Sequence, residues 1–148
     1  MPKKYPIRID DLYKFRIPLE PSVSPSGKQV VFTLERMVKK DKKYYTNLYI
    51  IGTNGRELKQ LTIGKRNDHS PGWSPDGNTI AFIRKRETTS QIWVLPINGG
   101  EAKPLTKLPR GTVSGVEWSP DGTKLLFLFH PLGKEVKVDK KGKEKTPV

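Results

Sequence analysis

The sequence predicts an all-β fold: a partial β-propeller of four-stranded antiparallel blades, about two and a half of them, with a short amino-terminal helix. Two motifs repeat along the 148 residues in the same phase, and hairpin signals fall between the predicted strands. A fixed period of this length is typical of repeat architectures in which each unit forms one blade.

The first motif is Ser-Pro-x-Gly followed by an apolar run. Its copies begin at Ser24, Ser74 and Ser119, so the spacings are 50 and 45 residues. Proline at the second position and glycine at the fourth suit a type I turn whose glycine takes the left-handed conformation. The chain is therefore expected to reverse between two strands at each copy.

The second motif spans residues 47–62 and recurs in residues 91–106, at an offset of 44. Two unrelated motifs rarely repeat with the same spacing by chance, so their agreement strengthens the evidence for a structural repeat. The extra length of the first copy falls mostly between Phe32 and Asn47, in a lysine-rich stretch. We expect a loop insertion there, as in other repeat arrays.

Each copy predicts four antiparallel strands. The runs after the turns, 30–34, 80–83 and 125–129, are nearly continuous in apolar residues. Such strands need cover on both faces, and neighbouring blades provide it in a propeller. Asn54-Gly55 and Asn98-Gly99 are hairpin signals between the third strand and a short fourth strand ending in Leu-Thr.

The predicted organisation is a leader at 1–18, blade 1 at 19–62, blade 2 at 63–106 and an incomplete third blade at 107–148. The leader includes a short helix over residues 9–15, with an aspartate near its start. Blades bury their faces only against other blades, and known propellers have at least about four. We therefore expect the chain to be an amino-terminal fragment whose remaining blades belong to the same parent protein or to a symmetry mate.

Charge and composition exclude several classes of protein. The formal net charge is +13, and the lysines crowd into 36–43 and 134–145, which we interpret as loops with a solvated surface. Only Tyr44 and Tyr45 lie beside them as possible stacking groups, so nucleic-acid binding is the weaker interpretation, and it would require salt-dependent affinity. Without cysteine, no disulfide framework or cysteine-zinc site is possible. With no signal-like apolar run after the basic start, we expect a cytoplasmic chain without a membrane partner.

The segments 9–15, 21–28, 73–77 and 118–122 together resemble the start of an acylaminoacyl peptidase of the prolyl oligopeptidase family of serine peptidases. The Trp-Ser-Pro-Asp-Gly element is shared with TolB-type propellers, and the leader segment favours the peptidase. The first copy departs from the pattern, because Val23 and Ser26 stand where the later copies have tryptophan and aspartate. Terminal repeats are often atypical in this way.

This resemblance implies a propeller, usually of seven blades, that covers an α/β-hydrolase domain with a serine, aspartate and histidine triad. The parent would cleave short or acylated peptides, and the propeller would restrict access by size. Its partners would be the remaining blades, the hydrolase domain, short peptide substrates and, as an open alternative, further copies of itself. The alternative function is a non-catalytic interaction propeller of TolB type.

Several residues in the chain could be mistaken for catalytic or metal-binding groups. Ser74 begins like a nucleophile elbow, but Asp76 stands where the elbow requires glycine, and the same unit recurs at Ser119. Asp76 and Asp121 are better explained by turn formation than by acid or base chemistry. His69 and His130 lack nearby carboxylates at metal-site spacing.

The tryptophans at 73, 93 and 118 recur at blade positions, which favours core packing over a stacking platform for ligands. No phosphate-binding glycine loop is present. The sequence thus predicts no catalytic, cofactor-binding or metal-binding residue in this chain, and no cofactor.

Overall fold

The computed structural model describes residues 4–133. The lysine-rich segment predicted at 134–145 and the outer part of the predicted third blade lie outside the described residues. A 3-10 helix, Ile9–Lys14, comes first, in agreement with the predicted short helix. Within this part of the chain the strands are β1 (Arg16–Val23), β2 (Gln29–Val38), β3 (Lys43–Gly52), β4 (Lys59–Gln60), β5 (Asn67–Trp73), β6 (Thr79–Lys85), β7 (Ser90–Pro96), β8 (Lys103–Pro104), β9 (Gly111–Trp118) and β10 (Leu125–Pro131).

The strands form successive antiparallel units. β1 to β4 pair in chain order and form blade 1, and β5 to β8 repeat the arrangement as blade 2. β9 and β10 pair as the start of the third blade. β1 lies against β5, and β5 lies against β9, so the first strands of successive blades are neighbours. The predicted partial propeller is confirmed, whereas the boundaries at 18, 62 and 106 stay predictions.

The Ser-Pro-x-Gly units form the predicted turns. In each copy the glycine N–H donates to the serine carbonyl, at 2.8 or 2.9 Å, and the glycine has a φ of 69°, 72° or 70°. These φ values lie in the left-handed region, where a residue with a Cβ costs roughly 1–2 kcal/mol. The pairs are Gly27 with Ser24, Gly77 with Ser74, and Gly122 with Ser119.

The apolar core lies between blades rather than within them. β6 is buried from Ile80 to Arg84 without interruption, which requires cover on both faces. One cluster joins blade 1 to blade 2, and it consists of Val31, Leu48, Ile50, Trp73, Ile80, Phe82 and Leu95. A second cluster joins blade 2 to the third blade through Ile83, Ile92 and Val113.

The third blade has one covered face. Leu125, Phe127 and Phe129 of β10 pack against the second cluster. Leu126 and Leu128, which alternate with them, are 72% and 60% exposed. The burial of a blade face therefore depends on having a neighbour, as the apolar runs in the sequence indicate.

The extra length of blade 1 has a different origin from the one predicted. β2 and β3 are ten residues each, whereas β6 and β7 are seven each. The connecting turns, 39–42 and 86–89, have the same length, so the extra residues extend a hairpin and do not form a loop insertion. Met37 pairs with Tyr44 and Val38 with Lys43, which continues the ladder because β-branched and aromatic residues suit strands.

The fourth strands end before the predicted Leu-Thr pair. β4 ends at Gln60, and the Thr62 hydroxyl then accepts the Leu48 N–H at 2.9 Å. The Thr106 hydroxyl accepts the Ile92 N–H at 3.0 Å in the same way. A side-chain oxygen therefore replaces a strand carbonyl at this position of each blade.

A bulge recurs in the first strand of every blade, and nothing in the motif analysis predicted it. Glu20, Ser70 and Gly115 have φ values of 52°, 52° and 60°, and the strand register shifts beside each of them. The Glu20 carboxylate accepts the Ser70 N–H at 2.9 Å and the Thr33 hydroxyl at 3.2 Å. The strained bulge of blade 2 is thus held by a side chain from the bulge of blade 1.

Candidate functional site

The turn serines hold the turns together. The Ser74 hydroxyl accepts the Thr79 N–H at 3.0 Å and lies 2.5 Å from the Asp76 carboxylate, to which it donates. A catalytic serine must instead give its proton to a histidine that acts as base. The geometry therefore supports the turn interpretation of this serine.

The third-blade turn has the same arrangement. The Ser119 hydroxyl accepts the Lys124 N–H at 2.9 Å and lies 2.6 Å from the Asp121 carboxylate. In the first copy, Ser26 takes the place of the aspartate, and its hydroxyl lies 3.1 Å from the Ser24 hydroxyl. The turn keeps its shape in all three copies, although the charged residue is present in two of them.

Replacing Ser74 with alanine is expected to destabilise the protein without affecting any serine hydrolase activity of the parent. The loss of a buried hydroxyl that bonds two groups costs about 1–3 kcal/mol. Denaturant unfolding measures the first effect, and labelling of the full-length protein with a fluorophosphonate measures the second. Loss of the label in a folded Ser74→Ala variant would contradict the turn interpretation.

The stability of the third-blade turn is expected to depend on pH through Asp121. Hydrogen bonds from the Ser119 hydroxyl, and then from the N–H and hydroxyl of Thr123, lower the pKa of Asp121 from 3.8 to about 2. Because the folded-state pKa is the lower one, this stabilisation is complete above the ordinary pKa and is lost as the pH falls through about 2. An NMR titration of the Asp121 carboxyl should show this midpoint, and Ser119→Ala should raise it.

Within residues 4–133, neither histidine has the partners of a catalytic or metal site. His69 Nδ1 lies 3.1 Å from the Ser70 hydroxyl, which lies 3.3 Å from the Glu20 carboxylate. In a triad the carboxylate orients the imidazole, whereas Glu20 here bonds to the serine. Burial lowers the pKa of His69. His130 is exposed on β10.

The described residues contain neither a metal-binding cluster nor a helix that could cross a membrane. Residues 4–133 contain no cluster of three or more His, Cys, Asp or Glu side chains arranged to hold a metal ion. In the same range no helix is sufficiently long and apolar to cross a membrane.

The repeated tryptophans connect successive blades. Trp73 of blade 2 donates its Nε1–H to the carbonyl of Ser22 in blade 1 at 2.9 Å, and Trp118 donates to Gly72 in blade 2 at 3.3 Å. A Cβ placed on Gly77 would lie 3.6 Å from Pro25, in ordinary contact, so the turns also pack on one another. These tryptophans serve blade docking, in line with the packing role predicted for them.

A buried ion pair joins β5 to β6 within blade 2, and the sequence motifs did not reveal it. The Arg84 guanidinium donates two hydrogen bonds to the Asp68 carboxylate, at 2.6 and 2.9 Å. Asp68 is fully buried, Arg84 is 6% exposed, and the guanidinium lies 4.1 Å from the Trp93 ring centre. Arg84 directly follows the apolar run of β6, and this buried strand position is the one sequence signal that could have revealed the pair.

Comparison with known proteins extends these observations. The family profile of the TolB beta propeller domain (PD40) matches residues 14–146. The chain belongs to this propeller family. The profile covers both complete blades and the docking tryptophans, so it describes the same repeat that the geometry shows.

Individual relatives provide further context for this TolB-family propeller. It is 33% identical over 141 residues to the uncharacterized peptidase YuxL of Bacillus subtilis, a match covering 95% of this chain and 21% of that protein. The acylaminoacyl peptidase of Pyrococcus horikoshii superposes with a TM-score of 0.65 at 25% identity, over 78% of this chain and 18% of that one. The predicted resemblance to the propeller part of such peptidases is confirmed.

TolB itself is also similar. TolB from Acinetobacter baumannii superposes with a TM-score of 0.62 at 26% identity, over 78% of this chain and 27% of that one. The chain spans about a fifth of the length of the curated peptidases it matches. Similarity at this coverage establishes the propeller and leaves the activity of the whole protein to be proposed.

Proposed function

We propose that the chain is the amino-terminal propeller segment of a cytoplasmic serine peptidase that acts on short or acylated peptides. The segment would gate access to a hydrolase domain in the same parent protein. The observation that carries the proposal is the similarity to a peptidase over 95% of the chain. The geometry agrees with a scaffold role, because the turn serines are fully engaged in hydrogen bonds.

Gating follows from the way propellers are built. The first strands of successive blades are neighbours, so in a closed ring they surround a central channel. A hydrolase domain covering one end of this channel would receive peptides that can pass and would exclude folded proteins. Selection would then depend on the size of a substrate before it depends on sequence.

The test uses the full-length protein that contains this chain. We expect a fluorophosphonate to label a serine outside residues 1–148, and we expect cleavage of short peptides but not of the same sequences embedded in a folded protein. A full-length protein that takes up no label and cleaves no peptide would refute the proposal. Cell fractionation tests the cytoplasmic location separately.

A second candidate function is a non-catalytic interaction propeller, and the similarity to TolB from Acinetobacter baumannii supports it. It predicts that the full-length protein takes up no fluorophosphonate label and copurifies with a stable protein partner. Fluorophosphonate labelling therefore discriminates directly between the two candidates.

A further inference from the structure

A cleft of about 560 Å3 lies between blades 1 and 2, where β3 and β5 begin and β6 ends. Its volume is within the range of about 300–1,000 Å3 that is typical of ligand sites. The lining is strongly basic: it includes one acidic residue, Glu87, and the cations Lys43, Lys65, Arg66, Arg84, Lys85 and Arg86.

Two of these cations are neutralised by partners in the fold. Lys65 Nζ lies 2.6 Å from the Asp41 carboxylate, and Arg84 is bonded to Asp68. Across residues 4–133, the other four cations have no carboxylate oxygen within 4.0 Å, and their side chains are exposed; they are Lys43, Arg66, Lys85 and Arg86. The mouth of the cleft therefore carries positive charge that the described fold does not balance.

The cleft has a fixed shape. On its blade 1 side, Arg36 donates to the carbonyl of Gly64 at 3.2 Å, and Thr46 N–H donates to that of Arg66 at 3.0 Å. On its blade 2 side, Arg84 is held between Asp68 and the Trp93 ring. These contacts hold the backbone of the walls in place, so that binding has to order only the exposed side chains at the mouth.

We propose that this cleft binds an acidic peptide segment, whose Asp or Glu carboxylates pair with the four unbalanced cations. The guanidinium groups of Arg66 and Arg86 can bind a carboxylate in a bidentate manner, whereas Lys43 and Lys85 act as point charges. Ile63 and Asn67 also line the cleft.

The one aromatic residue in the lining decides between a peptide and a nucleic acid. Single-stranded nucleic acids stack their bases on exposed aromatic rings. The Tyr45 ring lies under the Arg36 guanidinium, 5.9 Å away, and its hydroxyl donates to Asp41 at 2.9 Å. Because Tyr45 already contacts Arg36 and Asp41, the cleft has cations for carboxylates but no free aromatic ring on which bases could stack.

The test measures direct binding to the full-length protein, so it does not depend on peptidase activity. A fluorescent Glu-rich peptide is titrated with protein and followed by anisotropy, beside a peptide with Gln in place of every Glu. The cleft variant carries Arg66→Gln, Lys85→Gln and Arg86→Gln. The control variant carries Lys28→Gln, Lys59→Gln and Lys103→Gln, which remove the same charge from exposed positions outside the cleft lining.

We expect the cleft variant to bind the Glu-rich peptide about tenfold more weakly and the control variant to change affinity by less than about twofold, because the cleft charges converge on one ligand. Equal losses in both variants would overturn the proposal and indicate general attraction to a basic surface. Equal binding of the Gln peptide, or no binding, would also overturn it. Tighter binding of single-stranded DNA, lost in the cleft variant, would favour a nucleic-acid site instead.

Unchanged circular dichroism and fluorophosphonate labelling would show that the variants are folded and that the proposed activity is unaffected.

Discussion

Replacing Arg84 with methionine is expected to destabilise the pairing of β5 and β6 in blade 2 by about 3–5 kcal/mol, because a carboxylate is left buried without its cation. Asp68 has no exposed surface, and both hydrogen bonds from Arg84 end on its two oxygens. Hydrogen exchange of the β5 and β6 amides measures the local free energy of opening. This readout does not require a single global unfolding transition.

The matched control for Arg84→Met is Lys39→Met. Lys39 also forms an ion pair with an aspartate at 2.6 Å, but both side chains of the Lys39 to Asp10 pair are more than 60% exposed. Exposed pairs contribute little, so exchange should be unchanged in this variant. A double variant, Asp68→Leu with Arg84→Met, should recover most of the lost stability, because the unpaired charge is gone. If the double variant is no more stable than Arg84→Met, the buried charge is not the cause of the loss.

Trp73→Ala is expected to cost about 3–5 kcal/mol, since it removes a large buried ring from the cluster between blades 1 and 2. Trp73→Phe keeps most of the ring and removes the donor to the Ser22 carbonyl, so its cost should be about 1–3 kcal/mol. The difference between the two variants separates packing from the hydrogen bond. Hydrogen exchange of the β1 and β5 amides would measure the weakened contact between these strands, because Trp73 connects them.

Leu58→Ala provides the comparison for Trp73→Ala. Leu58 is a large apolar residue near the end of blade 1, but it is 60% exposed. Surface changes of this kind are usually within about 0.5 kcal/mol. A Trp73→Ala variant no less stable than Leu58→Ala would mean that the tryptophan does not join the blades.

The turns could be predicted because their information is local. Within five residues, Ser74, Pro75, Asp76 and Gly77 supply the hydroxyl, the fixed φ, the carboxylate and the left-handed residue that the turn needs. Blade stacking was predictable for a related reason, because an apolar run such as 80–83 has no polar face to offer water. Both conclusions use residues that are close together in sequence.

The ion pair and the bulges could not be predicted in this way. Asp68 and Arg84 are 16 residues apart, and they meet because the register of β5 and β6 places them opposite each other. A one-residue shift of that register would point them to opposite faces. The bulge position is occupied by Glu20, Ser70 and Gly115, and the first two give no sign of a positive φ. The basic cleft likewise forms from three separate segments that only the fold brings together.

The tryptophan and turn contacts between blades point in one direction. Trp73 and Trp118 each reach back to the blade made before their own, and Gly77 packs on the earlier Pro25. Chains are synthesised from the amino terminus at roughly 5–20 residues per second, and earlier parts can fold first. Each blade therefore finds its docking surface already complete when it leaves the ribosome. Blade 1 is different, because Val23 stands at the tryptophan position and has no indole N–H to donate. These tryptophan contacts can thus form blade by blade during translation, whereas the outer face of each blade is covered only when the next blade folds.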